Sequence, residues 1–509
     1  MAARLEGWGA ALSLYPILQD GPVGRLRAGC CAASRMRPAA LTKGIRKRSS
    51  TLEGGDISAA SRPVAHSPCL LFGSSELTSF DCPVRNPCST TREAAMGSVT
   101  SRMLRVLAGI AVGSALAATA SAQQKEIVIG AQCDRTGPTM IAGVPMCPAF
   151  HDYVNLVNHK GGVEGYKIKL GEIDTEYKVP QAVEAYERLR KGGALAVLVW
   201  GTPAVQALTQ RLAEDRIPGT SPGFGIAASA DGLRYPYLFP VAATYWSQAA
   251  AAIHFVRDKL GGSLVGKKIA YLFYDNPAGR EPLPVLEELQ QLEKFELKIF
   301  AVPAPGLEVG AQVLDIVQRY RADFVITHLF GRSPSVSIKE LKRVGYPLTK
   351  VLAFVWGSTD SDIEAAGGFA AADGYYTMHF AGVGSDYPIL KEIVEMYRAQ
   401  GKPAPKEMQS SVYYNRGLLW IALNVEAARN AIRGKEGQMP TGEDVKRGFE
   451  QIKTLPIGDI APPLEITPSN HEGGGWVQIF QVRDGKFRKV TDWYRSYPEV
   501  IAKVIRDAK

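Results

Sequence analysis

The sequence predicts an α/β protein with two doubly wound lobes, each built on a parallel sheet, and a ligand cleft between them. Short, nearly continuous apolar strands alternate with helical segments of about 10 to 15 residues. This alternation occurs twice, over 125–243 and over 247–374. Strands that are apolar on both faces are typical of parallel sheets covered by helices. Such sheets bind ligands beyond the carboxyl ends of their strands, so we expect the site between the lobes.

The first series begins with a short apolar segment, Glu126–Ala131, which predicts a buried strand. Apolar residues then recur at helical spacing from Phe150 to Val157, and the glycines within 160–162 predict the end of this helix. The elements that follow alternate between strand and helix: Tyr166–Leu170, Gln181–Lys191, Ala194–Trp200 and Val205–Arg216.

The second series repeats the alternation and begins with a strand. Its elements are Lys268–Tyr274, Leu283–Lys294, Leu297–Val302, Val309–Tyr320, Asp323–Leu329, Val336–Val344 and Val351–Trp356. Both series therefore fit the same layered architecture.

The last part of the chain follows a different pattern. Ser410–Ile432 has one apolar side and predicts a long helix, while Gly474–Trp493 alternates like a hairpin with its turn at Asp484-Gly485. We expect a first lobe formed by 125–243 plus 377–455. The second lobe is then formed by 247–374 plus 456–509.

One segment near the amino terminus has the features of a secretory signal peptide. Met96–Ala122 contains Arg102 and Arg105, an apolar run over Val106–Ala118, and the small residues Ala120-Ser121-Ala122 at the expected cleavage site. The apolar run of about 13 residues is shorter than the ~20 that a membrane-spanning helix needs. We therefore expect cleavage near Ala122 and a mature chain in the periplasm.

Residues 1–95 precede this segment and show no sustained helical or strand period. Because a signal peptide acts at the start of a chain, we expect that these residues come from a start codon assigned too far upstream. A genuine disordered extension is the alternative.

The charge of the chain is concentrated before the predicted cleavage site. Residues 1–122 hold 14 of the 59 Lys and Arg residues and 7 of the 50 Asp and Glu residues. The remainder has 45 basic and 43 acidic residues, so its net charge of +2 gives no support for nucleic-acid binding. Its cysteines, Cys133 and Cys147, form no C-x-x-C pair, and the seven histidines are scattered, so we expect no metal and no cofactor.

Two short motifs resemble catalytic or cofactor-binding sequences. The run 219–223 matches the G-x-S-x-G nucleophile elbow, but the residue after Ser221 is Pro222, which has no N–H for an oxyanion hole. The run 223–228 matches G-x-G-x-x-A, but Asp231-Gly232 interrupts the helix that a dinucleotide site needs. We expect tight turns at a strand end and no catalytic residues.

The chain over about 125–500 resembles the type I periplasmic binding proteins of the branched-chain amino acid ABC transporter family. The most specific stretch is Val154–Asn158 followed by 160–165, which looks like an N-x-x-G-G signature of that family. Further matches are Thr136-Gly137-Pro138, Asp174, Pro222, Asp373-Gly374-Tyr375-Tyr376 and Tyr413-Tyr414-Asn415.

The resemblance implies a ligand bound by strand-end loops, with its carboxylate on Ser or Thr hydroxyls and backbone N–H groups of the first lobe. The matching loops are 200–203 and 222–225, and Thr202 is either a ligand contact or the cap of the following helix. In the second lobe the family places a tyrosine and an acidic residue around the ammonium group. This chain has Asn276–Gly279 and Trp356–Asp360 there, so Asp360 serves as the acid only if the alignment shifts.

The resemblance and the strand-end positions together give the candidate ligand-binding residues. They are Thr136, Thr202, Gly223, Phe224, Tyr274, Ala278, Phe330, Trp356 and Asp360. The expected ligand is a small aromatic or hydrophobic carboxylate, or a branched-chain amino acid.

The resemblance also implies a partner and a function. We expect a monomer that binds a small solute, docks on an ABC permease in the inner membrane and binds no nucleic acid. A periplasmic ligand sensor of the same fold is the alternative, and an α/β hydrolase is a weaker one. Cys133 and Cys147 flank the first cleft loop, and in an oxidising periplasm we expect them to form a disulfide that stabilises the fold by about 3 kcal/mol.

Overall fold

The computed structural model describes residues 125–435 and 437–508. The signal peptide and the upstream extension predicted from the sequence lie outside these residues. Within the described ranges the strands form two separate sheets, one of five strands and one of seven.

The first sheet is entirely parallel, with the strand order β2-β1-β3-β4-β5. Its strands are β1 (Glu126–Cys133), β2 (Lys167–Asp174), β3 (Ala194–Leu198), β4 (Gly219–Thr220) and β5 (Leu238–Phe239). Strand β1 lies between two neighbours and is buried over most of its length, as its apolar sequence predicts.

Helices cover this sheet in the order that the sequence predicts. They are α1 (Met140–His159), α2 (Val179–Lys191) and α3 (Thr202–Asp215). Helix α3 begins three residues earlier than the predicted start at Val205, so its first turn lies directly after the end of β3.

The second sheet has the strand order β12-β11-β10-β9-β8-β6-β7. Strands β6 (Lys268–Tyr274), β7 (Glu296–Val302), β8 (Phe324–His328), β9 (Val351–Ala353) and β10 (Tyr376–His379) are parallel to their neighbours in this group. Strands β11 (Gln478–Arg483) and β12 (Lys486–Lys489) form an antiparallel hairpin on its edge. Asp484 and Gly485 form the hairpin turn with positive φ angles of 51° and 75°, as the Asp-Gly pair predicts.

The chain continues after β5 with helices that accompany the second sheet. They are α4 (Tyr245–Lys259), α5 (Pro277–Arg280), α6 (Leu283–Glu293), α7 (Gly310–Leu314, continued by a π-helical segment Asp315–Tyr320), α8 (Ser333–Arg343) and α9 (Asp360–Ala365). The later helices are α10 (Pro388–Ala399), α11 (Ser411–Arg433), α12 (Gly442–Phe449) and α13 (Pro498–Asp507).

Helix α11 is the predicted long helix, and it packs on the first lobe. It lies along α1 and α12. Its residue Trp420 packs edge-on against Phe150, with a ring-centroid distance of 5.5 Å, and lies 6.0 Å from Trp200. No helix in the described residues is long and apolar enough to cross a bilayer.

The chain passes between the two sheets three times within the described residues, after β5, after β10 and between α12 and β11. The passages lie side by side. The Thr244 N–H donates to the Glu472 carboxylate at 2.5 Å, and the Gly382 N–H donates to the Ile460 carbonyl at 2.9 Å. The connecting segments therefore support one another on one side of the molecule.

Two boundaries differ from the sequence-based expectation. Residues 377–379 were expected in the first lobe, but β10 pairs with β9 and β11 in the second sheet. The strand expected over Val351–Trp356 ends at Ala353, and Val355–Gly357 forms a 3₁₀ turn. This turn places Trp356 outside the sheet, where it lines a cavity between the lobes.

Candidate ligand-binding site

A narrow cavity of about 40 Å³ lies between the two lobes, beyond the carboxyl ends of both sheets. Residues from both lobes line it: Thr139, Ile141, Ala142, Tyr177, Trp200, Gly201, Thr202, Phe224, Tyr245, Ala278, Phe330, Gly331, Trp356 and Tyr413. Within the described part of the chain, the lining contains no charged side chain. The cavity is therefore an apolar and largely aromatic site with a few polar groups.

Contacts across the cavity hold the lobes together in a closed arrangement. Phe224 of the first lobe lies 5.5 Å from Trp356 of the second, and Tyr177 lies 6.1 Å from Phe330, both measured between ring centroids. Outside the cavity, the Ala227 N–H donates to the Glu281 carboxylate at 2.7 Å. Burial raises the pKa of Glu281.

The first turn of α3 forms one polar end of the cavity. Gly201 precedes the helix with a φ angle of 88°, and a Cβ atom at this position would lie 2.5 Å from the Tyr177 ring. Thr202 is the first helical residue, and its hydroxyl accepts a hydrogen bond from the Gly225 N–H at 3.1 Å. No side chain of the described residues caps this end of α3, so Thr202 joins two cleft loops and is not a helix cap.

Polar side chains from both lobes also meet at the cavity wall. Burial raises the pKa of Tyr245 well above its ordinary value, and Thr202 and Trp356, which lie beside its hydroxyl, partly oppose the shift. Trp356 is only 7% exposed, and its indole N–H lies near the Tyr245 hydroxyl without completing a well-formed hydrogen bond with any described residue. Within the described residues, the cavity wall thus contains a buried donor that is not fully satisfied.

A buried arginine supports Trp356 from the side of α11. The guanidinium of Arg416 lies 5.5 Å from the centre of the Trp356 ring and 5.0 Å from that of Phe380. Its Nη1 donates to the Val355 carbonyl at 2.7 Å, which links a first-lobe helix to the second lobe. Burial lowers the pKa of Arg416 to about 10, so the group stays protonated at neutral pH.

The pKa of a carboxyl group close to Arg416 is also shifted by burial. Asp362 accepts hydrogen bonds from the Thr359 N–H at 3.1 Å and from the Thr359 hydroxyl at 2.7 Å, which caps α9. Burial raises its pKa to about 7, although Thr359 and Arg416 favour the charged form.

A hydrogen-bond network positions the first-lobe wall. The buried Asp134 carboxylate accepts hydrogen bonds from the Thr139 and Thr175 hydroxyls and from the Tyr177 N–H. Thr139 in turn accepts from the Trp200 indole N–H at 3.1 Å. Burial raises the pKa of Asp134, and these hydrogen bonds lower it. Trp200, unlike Trp356, therefore has its indole N–H satisfied within its own lobe.

The structure brings five of the predicted site residues to the cavity wall. They are Thr202, Phe224, Ala278, Phe330 and Trp356. Each follows a strand of a parallel sheet, as expected for residues at the carboxyl ends of such strands.

Four predicted residues lie outside the cavity wall. The exposed Thr136 donates to the Asp174 carboxylate at 2.8 Å, and Gly223 lies in the turn behind Phe224. Tyr274 packs its ring 4.5 Å from Phe330 and supports that residue from behind. Asp360 lies in an adjoining open groove of about 560 Å³, so it is not in position to bind an ammonium group in the cavity.

Sequence reasoning missed several lining residues that come from helices. Thr139, Ile141 and Ala142 lie at the start of α1, and Tyr245 begins α4. Tyr413 lies near the start of α11 within the Tyr413-Tyr414-Asn415 motif, which was the available signal for this position.

The motifs that resembled catalytic sequences have structural roles. The buried Ser221 hydroxyl donates to the Phe224 carbonyl at 2.6 Å, so it shapes the cleft loop. A 3₁₀ segment, Ala227–Ala230, follows where a dinucleotide site needs a full helix. His328 is fully buried behind Tyr245 and bonds the Tyr271 hydroxyl at 3.0 Å, and burial lowers its pKa to about 3.

A disulfide joins Cys133 at the end of β1 to Cys147 in α1, which is the pairing predicted from the sequence. Glu172 lies close to both sulfur atoms, but the cysteines are bonded to each other and are not free to bind a metal. The closed loop includes the α1 residues that line the cavity.

The chain matches a family model described as periplasmic binding protein over residues 126–486. Comparison with curated proteins finds no significant match. Among solved structures, one described as an ABC transporter permease from the Pseudomonas fluorescens group is 32% identical, with a TM-score of 0.68, and the match covers 75% of this chain and 96% of that one.

Two more distant structures have the same fold. A branched-chain amino acid ABC transporter protein from Thermus thermophilus with bound valine is 23% identical, with a TM-score of 0.64 and coverage of 75% and 99% of the two chains. A fatty acid ABC transporter substrate-binding protein from Thermomonospora curvata is 19% identical, with a TM-score of 0.62 and coverage of 74% and 94%.

The family match, the two α/β lobes and the cavity between them agree with one another. The family match supports a solute-binding role outside the cytoplasm. The chain belongs to the periplasmic binding protein family, and it is a type I member similar to leucine/isoleucine/valine-binding proteins.

Proposed function

We propose that this protein captures a small monocarboxylate with an apolar or aromatic body and delivers it to an ABC importer. The observation that carries this proposal is the composition of the cavity wall, which in the described residues is aromatic and uncharged. Aromatic side chains supply apolar contact area, and a few polar groups fix the orientation of the ligand.

The polar end of the cavity suits a carboxylate. Gly201 and Thr202 line the cavity at the start of α3, where backbone N–H groups and the helix dipole favour a negative charge. The hydroxyl of Thr202 accepts from Gly225, so its proton can be donated to the neighbouring Tyr245 hydroxyl or to a ligand oxygen.

An ammonium group finds little support in the same cavity. A charged ammonium that is removed from water needs a carboxylate or several acceptors around it. Asp360 lies in the outer groove, and the described cavity wall contributes no other acid. We therefore favour a ligand that lacks the α-amino group.

A branched-chain amino acid is the second candidate ligand. The Thermus thermophilus protein, which has the same fold, contains bound valine. The Thermomonospora curvata protein is described as a fatty acid binder, so both kinds of ligand occur in this fold. A periplasmic sensor of the same fold remains the alternative to an importer component, and the buried Ser221 disfavours a hydrolase.

The size of the cavity favours a compact ligand. On the same measure a cavity needs roughly 10–15 Å³ for one water molecule, so about 40 Å³ accommodates a group equivalent to a few waters. A longer ligand requires a wider separation of the lobes than this closed arrangement has.

The proposal includes the compartment and the partners. Cleavage near Ala122 places the mature chain in the periplasm, where it acts as a monomer and docks on an inner-membrane permease. The family match supports a role outside the cytoplasm.

Matched ligand pairs test the proposal directly. Valine and isovalerate share a branched body and a carboxylate and differ in the ammonium group, as do phenylalanine and 3-phenylpropanoate. Ligands that bind the folded protein raise its melting temperature, and at equal concentration the ligand with the lower Kd raises it more. We expect the des-amino acids to raise it more than their amino acid partners. A larger increase with valine than with isovalerate would show that the ligand is an amino acid.

A further inference from the structure

On the basis of the proposed carboxylate ligand, we propose that the Trp356 indole N–H is the second lobe's hydrogen-bond donor to the ligand. We further propose that it makes closure of the lobes depend on an acceptor in the cleft. Trp356 is then a specificity-determining residue, and its role is distinct from that of the helix terminus in the first lobe.

The indole N–H of Trp356 is buried, lines the cavity and completes no well-formed hydrogen bond with the described residues, including the Tyr245 hydroxyl beside it. It lies close to the Tyr245 hydroxyl and to Thr202, and both of these residues line the same cavity. Trp200 in the opposite wall donates to Thr139 at 3.1 Å. The two tryptophans of the cavity therefore differ in the state of their N–H groups.

Packing fixes the direction of this N–H. Phe224 lies 5.5 Å from the Trp356 ring, Phe380 packs edge-on at 6.1 Å, and the Arg416 guanidinium lies at 5.5 Å. Arg416 is itself bonded to the Val355 carbonyl, next to Trp356 in sequence. The ring cannot turn to another acceptor without displacing these neighbours.

The energetic consequence differs between the open and closed forms. When the lobes separate, water can solvate the Trp356 N–H. When they close on a cleft without a ligand acceptor, the N–H is buried against a poorly aligned Tyr245 hydroxyl, which is unfavourable. A carboxylate oxygen at this position forms a charge-assisted hydrogen bond and removes the penalty. Closure is therefore favoured by a ligand with an acceptor and disfavoured for the empty protein.

Trp356→Phe is the direct test, because it keeps an aromatic ring and removes the donor. Trp200→Phe is the matched control, because it makes the same change in the same cavity at an N–H that is already satisfied. We expect Trp356→Phe to weaken carboxylate binding about tenfold or more relative to Trp200→Phe, measured by calorimetry. In the absence of ligand, we expect Trp356→Phe to be more compact than the wild type by small-angle X-ray scattering.

The two measurements separate this inference from the proposed function. If valine and not isovalerate binds the wild type, the proposed ligand class is wrong, but the compaction of the free variant still supports the role of Trp356. If Trp356→Phe has the affinity of the wild type for the carboxylate and the same radius of gyration when free, the role of Trp356 is refuted.

A change in folding is checked by circular dichroism of both variants. If Trp356→Phe is unfolded, 3-benzothienylalanine at position 356 keeps both rings and replaces the N–H by sulfur. That protein must show the same loss of affinity and the same compaction, and wild-type values for both would refute the inference.

Discussion

Removal of the disulfide between Cys133 and Cys147 should destabilise the first lobe by a calculable amount. The bond closes a loop with a sequence separation of 14, and the chain-entropy relation assigns about 3 kcal/mol to a loop of this length. Both cysteines are fully buried, so a reductant reaches the bond only when this region unfolds. The variant Cys133→Ala/Cys147→Ala removes the bond without that kinetic restriction.

Urea unfolding followed by circular dichroism measures the effect. We expect the free energy of unfolding to fall by about 3 kcal/mol in the double variant. A reductant should lower the stability of the wild type by a similar amount and leave the double variant unchanged. A double variant within about 0.5 kcal/mol of the wild type would refute the entropic argument. Because Ile141 and Ala142 lie inside the loop, we also expect weaker ligand binding.

Two further predictions concern positions around the cavity. Gly201→Ala should lower the free energy of unfolding by about 1–3 kcal/mol, because a φ angle of 88° is unfavourable for alanine and its Cβ would displace the Tyr177 ring. A melting temperature equal to that of the wild type would contradict this prediction. The pKa of Asp362 is raised to about 7 in the folded protein by burial, so this group's contribution to stability is full below its unfolded pKa of about 4 and is lost as the pH rises through about 7. Asp362→Asn should therefore flatten the decline in melting temperature between pH 4 and pH 7, and identical pH profiles for the two proteins would refute the assignment.

Much of the fold was predictable because buried parallel strands have a strong sequence signal. Segments such as Ala194–Leu198 are continuous apolar runs between helices, and their length is typical of strands and short for a helix. Strands β4 and β5 have two residues each, too few for any period to appear. The strand predicted to reach Trp356 ended at Ala353 because the following residues, although apolar, turn into the cavity.

The site was predictable where strand ends determine it. Thr202 and Phe224 follow from the rule that ligands bind beyond the carboxyl ends of parallel strands. Tyr245 and Tyr413 reach the cavity from helices that begin beyond the lobe crossings, and sequence periodicity does not show which face of such a helix meets the other lobe. The state of the Trp356 N–H depends on its neighbours in space, so no sequence pattern could have shown it.

The three passages of the chain between the lobes restrict how this molecule can move. Because they lie together on one side and are hydrogen-bonded to one another at Thr244–Glu472 and Gly382–Ile460, sliding or twisting of one lobe on the other would break these bonds. A hinge rotation about the connecting segments leaves these hydrogen bonds intact. Opening and closing of the cleft are therefore described by a single hinge angle.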